Sequence, residues 1–265
     1  MKLQAIIPAI LLALFCALFA SSAFAQADES GLDLRVGLGA QLLRVDSTVT
    51  RSGSVLGKDY KITSELKDPI AFNGAIGKIA IGYRWKYFGL YLDQDLGSAK
   101  WDGKTPGYKV SGNSDSLGLS GNAESQDEAI DQGEKNTYFL GGTYFTIRGI
   151  FPVTSSFQID LGVGFGAIYA DGDKASEANS ENDKPALIAN EDGDPCALFS
   201  LKFSLTLTYY FTKMFGLAVF LDYNLSFDNY DSTTKSYENT ISTYKSESEK
   251  LYHLINPGLM AVLHF

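Results

Sequence analysis

The sequence contains only two histidines, His253 and His264, and these are the side chains best suited to act as a general base. Acyl-transfer chemistry needs a nucleophile, a histidine base and an orienting acid or amide on one surface. His253 falls on the same side of its segment as Leu251 and Leu263, among apolar side chains. His264 is next to the last residue, where a solvated histidine at the rim is expected. The sequence therefore predicts no catalytic residue and no enzyme.

Nine charged residues form a second chemical set, because they recur among small and polar residues inside otherwise apolar segments. Both signs are nearly balanced in it. If these side chains share an enclosed space, we expect them to pair and hydrogen-bond, since unpaired charges there are costly. The set consists of Asp33, Arg35, Lys78, Arg84, Asp93, Asp95, Asp160, Lys202 and Asp222.

Neither the cysteines nor the acidic stretches predict a metal or cofactor site. One of the two cysteines, Cys16, lies in the N-terminal leader, and Cys196 is then left without an internal partner. This excludes a disulfide-stapled scaffold and a zinc site built from cysteines, and Cys196 receives no role. The acidic stretch Asp171–Asp194 lacks the spacing and the distal glutamate of a calcium loop. We expect a solvated loop, and cation bridges from its carboxylates to lipid phosphates stay open.

Residues 1–25 have the pattern of a cleaved secretory signal peptide. Lys2 is followed by an apolar run over 5–19, and Ala23-Phe24-Ala25 forms a small-x-small cleavage site. Cleavage would leave a mature domain of residues 26–265 and, by removing one lysine, would change the net charge from −9 to −10. An acidic chain without basic runs argues against nucleic acid as a partner.

The segments that must position the charged set alternate apolar and polar or small residues, which is typical of β-strands and incompatible with one helix face. Four of them are regular over roughly ten residues or more, the length of a strand that crosses a membrane. The regular segments are 32–43, 157–169, 199–211 and 217–227, and the less regular ones are 75–85, 88–96, 137–148 and 251–265. The faces of 137–148 stay unassigned. Pro257 cannot donate a ladder hydrogen bond, so a bulge or a position near the rim is expected there.

Long and short connections alternate along the chain. The short ones lie near residues 86–87, 151–155 and 212–214, and the long ones cover 46–69, 97–136, 170–195 and 228–250. This predicts an all-β fold, a closed up-and-down antiparallel barrel of about eight strands with short turns at one end and four long loops at the other. Ten strands remain an alternative if Lys109–Gly121 or Tyr60–Leu66 forms an extra hairpin.

Side-chain volume decides which face of the barrel points outward. One face of each segment carries large aliphatic and aromatic residues, whereas the other is rich in glycine, serine and threonine. A small barrel cannot hold all the large residues inside, so the sequence predicts a transmembrane barrel with the large residues toward lipid. The charged set then lies in the lumen, the space inside the barrel, as a polar plug. An ion path and a ligand cavity are the alternatives.

Aromatic residues crowd the short turns, as expected where rings sit at the level of lipid headgroups. This predicts an aromatic girdle at that end of the barrel. Its members are Tyr83, Trp85, Tyr87, Phe88, Tyr209, Phe211 and Phe215.

Together these features resemble the small OmpA/OmpX-type outer-membrane β-barrels of Gram-negative bacteria. The resemblance covers essentially all of residues 26–265, but it is one of pattern and not of a residue-specific motif. It implies a location in the bacterial outer membrane, periplasmic chaperones, and a C-terminal signal read by the barrel-assembly machinery. Leu263 and Phe265 match that signal, whereas its glycine is displaced to Gly258.

The function expected from this pattern is structural or adhesin-like, and it would be performed by the long acidic loops of a monomeric barrel with a plugged lumen. Outer-membrane lipids and lipopolysaccharide are the expected neighbours, and the extracellular partner is left open. A narrow porin-like channel is the first alternative. A lipid-modifying enzyme is the second, although the His-x-Ser-Asn arrangement of lipid A deacylases is absent because Ile255 stands in the serine position.

Overall fold

The computed structural model describes residues 30–55, 58–101, 104–114, 119–120, 123–125, 130–131, 137–171, 188, 197–232 and 242–265. The predicted signal peptide, Cys196 and most of the acidic stretch Asp171–Asp194 lie outside these residues. In the part of the chain that the structure describes, no helix is long and apolar enough to cross a membrane.

Eight long strands form a closed antiparallel ring, in which each strand pairs with its neighbour along the ring and the first pairs with the last. This confirms the predicted up-and-down barrel. The ring strands are β1 (Gly31–Val55), β3 (Ile70–Arg84), β4 (Phe88–Trp101), β10 (Thr137–Pro152), β11 (Phe157–Asp171), β12 (Ala197–Tyr210), β13 (Phe215–Ser232) and β14 (Ser242–His264).

Beyond the ring, the long-loop end carries further strands in segments for which the sequence predicted loops. β1 and β14 have 25 and 23 residues. Both continue toward the long-loop end beyond Val45, which pairs with Ile70, the first residue of β3. There β2 (Lys58–Leu66) pairs with the free side of β1, and β6 (Tyr108–Ser114) pairs with β2. We call these four paired segments the extension sheet. Shorter strands follow, namely β5 (Lys104–Thr105), β7 (Leu119–Ser120), β8 (Ala123–Ser125) and β9 (Ile130–Asp131).

The ten-strand alternative is wrong. The two segments that it invoked do pair with each other, as β2 and β6, but they lie outside the ring. β1 is long enough to pair with β2 beyond Val45, where its pairing with β3 stops. The other edge of β2 then pairs with β6.

The short turns at the other end are built by local hydrogen bonds. Thr154 Oγ1 accepts the backbone N–H of Phe157 at 3.0 Å, and Thr212 Oγ1 accepts that of Phe215 at 3.0 Å. Both turns thus use a threonine three residues before the phenylalanine that begins the next strand. Such side-chain bonds to the backbone favour a turn over continued strand.

The outer wall of the ring is apolar on every strand. Leu38 and Leu259, which face each other across β1 and β14, are 74% and 68% exposed. A ring of large exposed apolar side chains is the outer surface of a membrane-spanning barrel, which agrees with the predicted orientation. One such residue from each ring strand is Leu38, Ile81, Leu92, Ile147, Leu161, Phe203, Val219 and Leu259.

Glycines on the inner face make room for the few large side chains that point inward. A Cβ on Gly82 would lie 2.4 Å from the ring of Tyr91, and one on Gly258 would lie 2.5 Å from that of Phe220. Small residues of one strand therefore complement large residues of the next, which keeps a narrow lumen filled.

Candidate functional site

The lumen contains ten fully buried charged side chains, five acids and five bases. All nine residues of the predicted charged set are among them. The tenth, Arg148, belongs to the segment whose faces the sequence left unassigned. The side chains in the ion pairs of this set are at most 2% exposed. The count refers to the residues that the structure describes.

These ten residues form two tiers along the barrel axis. The lower tier, nearer the short turns, contains Asp33, Arg35, Arg84 and Asp160 with the further partners Gln158, Tyr210 and His264. The upper tier contains Lys78, Asp93, Asp95, Arg148, Lys202 and Asp222.

In the lower tier one guanidinium bridges two carboxylates. Arg35 donates to Asp160 at 2.7 Å and to Asp33 at 2.9 Å. Arg84 donates to the side-chain oxygen of Gln158 at 3.0 Å and to the hydroxyl of Tyr210 at 2.8 Å. The two arginines balance the two aspartates in formal charge.

In the upper tier two lysines lie among three carboxylates. The Lys202 Nζ atom is 2.7 Å from Asp95, 3.2 Å from Asp222 and 3.5 Å from Asp93. Lys78 forms an ion pair with Asp222, and Arg148 donates to Asp93 at 2.8 Å. Three bases and three acids again cancel. Each partner is therefore compensated inside its own tier, as buried charges require.

Tyr91 joins the two tiers. Its ring lies between two guanidinium groups, with the Cζ atoms of Arg35 and Arg148 at 4.5 Å and 4.9 Å from its centroid. Its hydroxyl donates to Asp33 at 2.7 Å and accepts from Arg35 at 2.8 Å. Cation–π contacts of this kind are strengthened when the groups are shielded from water. The network is thus continuous from the short turns to the middle of the lumen.

Above the upper tier the lumen contains a cluster of buried apolar residues, which we call the apolar cap. The alternation of residues does not predict this cluster, because it indicates a polar or small inner face along the whole barrel. Ile188, from the connection between β11 and β12, is fully buried in the cap. Its members are Leu43, Val45, Phe72, Ala99, Tyr138, Leu140, Tyr144, Ile168, Ala170, Ile188, Tyr252 and Leu254.

The expectation that His264 is a solvated rim residue is wrong. Its side chain is only 4% exposed, and its Nδ1 atom lies 2.7 Å from Asp33. The reason is the closure of the ring, because the pairing of β14 with β1 brings the end of the chain beside the lower tier.

His253 lies on the outer wall near the long-loop end. Its Nε2 atom is 3.2 Å from Asp46, and its Nδ1 atom is 2.7 Å from the hydroxyl of Tyr223, whose ring stacks on the imidazole. This chain of three groups supplies no serine or cysteine nucleophile. Among the described residues, no cluster of three or more histidine, cysteine or acidic side chains is arranged to hold a metal ion.

The residues of the predicted girdle surround the first and third short turns on the outer wall. Trp85 lies between Tyr83 and Phe88, with ring centroids at 4.8 Å and 4.6 Å, and Phe211 packs against Tyr209 and Phe215. Tyr87 is 61% exposed beside them.

Leu263 and Phe265, which match the predicted assembly signal, are both held by backbone pairing with neighbouring strands. Leu263 is opposite Leu34 on β1 and Phe215 on β13. Phe265 exchanges both backbone hydrogen bonds with Leu32, at 2.8 Å and 3.0 Å, and leaves its ring exposed.

Comparison with known proteins finds similar solved structures only. No protein-family model matches this chain, and no curated protein matches it in sequence. Outer membrane protein OprG from Pseudomonas aeruginosa is 11% identical, with 91% of this chain and 100% of that chain covered and a TM-score of 0.44.

Neisserial surface protein A is 13% identical, with 89% of this chain and 98% of that chain covered and a TM-score of 0.40. The outer membrane protease OmpT from Escherichia coli is 9% identical, with 92% and 99% covered and a TM-score of 0.35. At these identities and scores, none of the three identifies what this chain binds or does.

Proposed function

We propose that this protein is a monomeric barrel of the bacterial outer membrane with a closed lumen, and that it acts as a structural or adhesin-like surface protein. The location is supported by the apolar outer wall, since a closed barrel that faces lipid is the architecture of bacterial outer-membrane proteins. Outer-membrane lipids and lipopolysaccharide are then its neighbours. Leu263 and Phe265 are the residues we assign to recognition by the barrel-assembly machinery, after delivery by periplasmic chaperones.

The observation that carries the proposal is the burial of all ten lumen charges in two neutral tiers. A solute that crosses the lumen would have to separate ion pairs such as Lys202–Asp95 and Arg35–Asp160. Breaking a buried pair costs about 3–5 kcal/mol. The apolar cap adds a second barrier for ions above the tiers. The lumen residues therefore serve stability and strand register. Binding to other molecules is assigned to the exposed parts of the chain at the long-loop end.

The extension sheet is the surface best placed for such interaction. Its outward face continues the lipid-facing side of the barrel but is polar. Thr50 is flanked by Thr63 and Glu247, and Thr48 by Glu65 and Glu249. Rows of hydroxyl and carboxylate groups hold this part of the chain in water above the bilayer, where it can meet a partner.

Planar-bilayer recording of the purified, folded chain tests the closed lumen. We expect no steady current at micromolar protein, with a known porin as positive control. Steady, ion-selective steps would contradict the closed lumen and favour the narrow channel.

Surface display tests the interactive role. Bacteria that display the full chain are compared with bacteria that display a variant in which residues 56–67 are replaced by a short glycine-serine linker. Binding to immobilised glycans and extracellular-matrix proteins is measured for both. We expect the full chain to bind at least one surface more strongly. Equal binding on every surface would contradict an interactive role for the extension sheet.

A further inference from the structure

Among the described polar side chains that are buried in the lumen without hydrogen-bond partners, four lie close together on neighbouring strands. Gln41, Asn224, Ser226 and Asn256 are at most 1% exposed. Both the oxygen and the nitrogen of each of the three carboxamides lack a partner among the described residues, as does Ser226 Oγ. Buried polar groups are almost always hydrogen-bonded, so a set of them in one place indicates a ligand.

The three carboxamides lie side by side on neighbouring strands. Asn256 on β14 is opposite Asp222 on β13, and Asn224 is two residues further along the same face. On the other side of β14, the pairs Gly39–Gly258 and Leu42–Ile255 bracket Gln41 and place it beside Asn256. The three amides therefore form one patch that spans the adjacent strands β13, β14 and β1.

Gln41 also reaches past β3 to the inner face of β4. A Cβ on Gly97 of β4 would lie 2.4 Å from Gln41 Oε1, so this glycine leaves the space that the side chain occupies. Two nearby carboxylates, those of Asp95 and Asp222, each have one oxygen without a hydrogen-bond partner. Asp95 is two residues from Gly97 on the same face of β4. The patch therefore lies where the upper tier meets the apolar cap, since Asn256 is opposite Asp222 and Asn224 is opposite Leu254.

The backbone is interrupted at the same level. The β1–β14 ladder skips Ala40 and Gln41 on one strand and Asn256 and Pro257 on the other. Pro257 has no N–H to donate. This is the irregularity that the sequence predicts at the proline, and it coincides with the amide patch.

The chemistry of the patch selects a neutral ligand with both donors and acceptors. Because each tier is already neutral, an added ion would be uncompensated in the lumen. Carboxamides, in contrast, present one acceptor and one donor group each. We propose that Gln41, Asn224 and Asn256 bind a cluster of ordered water molecules between the upper tier and the apolar cap. A buried water makes about three hydrogen bonds, so the six amide atoms require at least two waters.

NMR of the ¹⁵N-labelled full chain, folded in detergent micelles, tests this site directly. Water cross-relaxation is measured at the side-chain amides of Gln41, Asn224 and Asn256. The matched control is Gln158, an equally buried lumen amide that bonds to Arg84 and Asp160. We expect water cross-peaks at the three amides and none at Gln158. Three amides without water contact, like Gln158, would overturn the proposal.

The variant Asn256→Leu provides a second readout. In a dry site, this near-isosteric change removes an unpaired polar group, and the urea midpoint of unfolding rises. In a site occupied by water, it leaves the water with too few partners, and the midpoint falls. We expect the midpoint to fall, and a rise would overturn the water site.

Discussion

The Nδ1 atom of His264 lies 2.7 Å from Asp33 Oδ1 and joins residues that are 231 positions apart. The contact closes the seam between the last and first strands at the short-turn end, next to the paired backbones of Phe265 and Leu32. A side chain from the end of the chain thus completes the charged network inside the barrel.

Replacing His264 with alanine should weaken this seam. The change leaves a buried carboxylate oxygen of Asp33 without its partner, so we expect the free energy of unfolding to fall by about 1–3 kcal/mol. Urea titration in lipid vesicles, followed by the shift in gel mobility between folded and unfolded chain, measures it. His253→Ala is the control, because that side chain is partly exposed and its contact with Asp46 contributes less than about 1 kcal/mol. An equal fall in the free energy of unfolding for His264→Ala and His253→Ala would contradict the stabilising role of His264 at the seam.

Lys202→Met should be among the most destabilising changes in the lumen. It leaves three acids with two bases in the upper tier, and breaking a buried pair costs about 3–5 kcal/mol. Adding Asp95→Leu restores a neutral tier, so the double variant should lose less stability than the sum of the two single variants. The same urea titration gives this double-mutant cycle. Additive losses would show that the two residues do not act as a pair.

Two glycines that look alike in the sequence should respond differently to alanine. A Cβ on Gly166 would lie 1.9 Å from the carbonyl oxygen of Thr143, so the backbone must shift, at a cost of about 1–3 kcal/mol. A Cβ on Gly77 has its nearest neighbour, Leu96 O, at 3.6 Å. Gly77→Ala should therefore be neutral, or stabilising by up to about 1 kcal/mol. Equal unfolding midpoints for the two variants would contradict this packing.

The alternation of residue size predicts the ring, its orientation and the inward positions of residues such as Asp33 and Lys202. This is possible because the period of two is a local property, and one apolar face fixes the other. The same rule fails for β10, where Tyr144 and Arg148 are large and point inward. The space for Arg148 is supplied by β11, since Gly162 lies against it, whereas the ring of Tyr144 lies against Gly142 of β10 itself. Complementarity between neighbouring strands is not visible within a single segment.

Contacts between distant parts of the chain account for the other differences. His264 is buried only because β14 returns to β1, and the pairing of β2 with β6 depends on how far β1 extends beyond β3. The burial of Ile188 in the apolar cap likewise depends on where its connection lies in space. Local periodicity carries no information about these three contacts.

The central claim is that the large apolar side chains face lipid and the charges face inward. Spin labels at Leu259→Cys on the outer wall and Lys61→Cys in the extension sheet, both in a Cys196→Ser background in bilayers, test it most directly. We predict that collisions with lipid-soluble oxygen exceed those with a water-soluble nickel complex at position 259, and that the order reverses at position 61. A label at position 259 that the nickel complex reaches more readily than oxygen would contradict the claim.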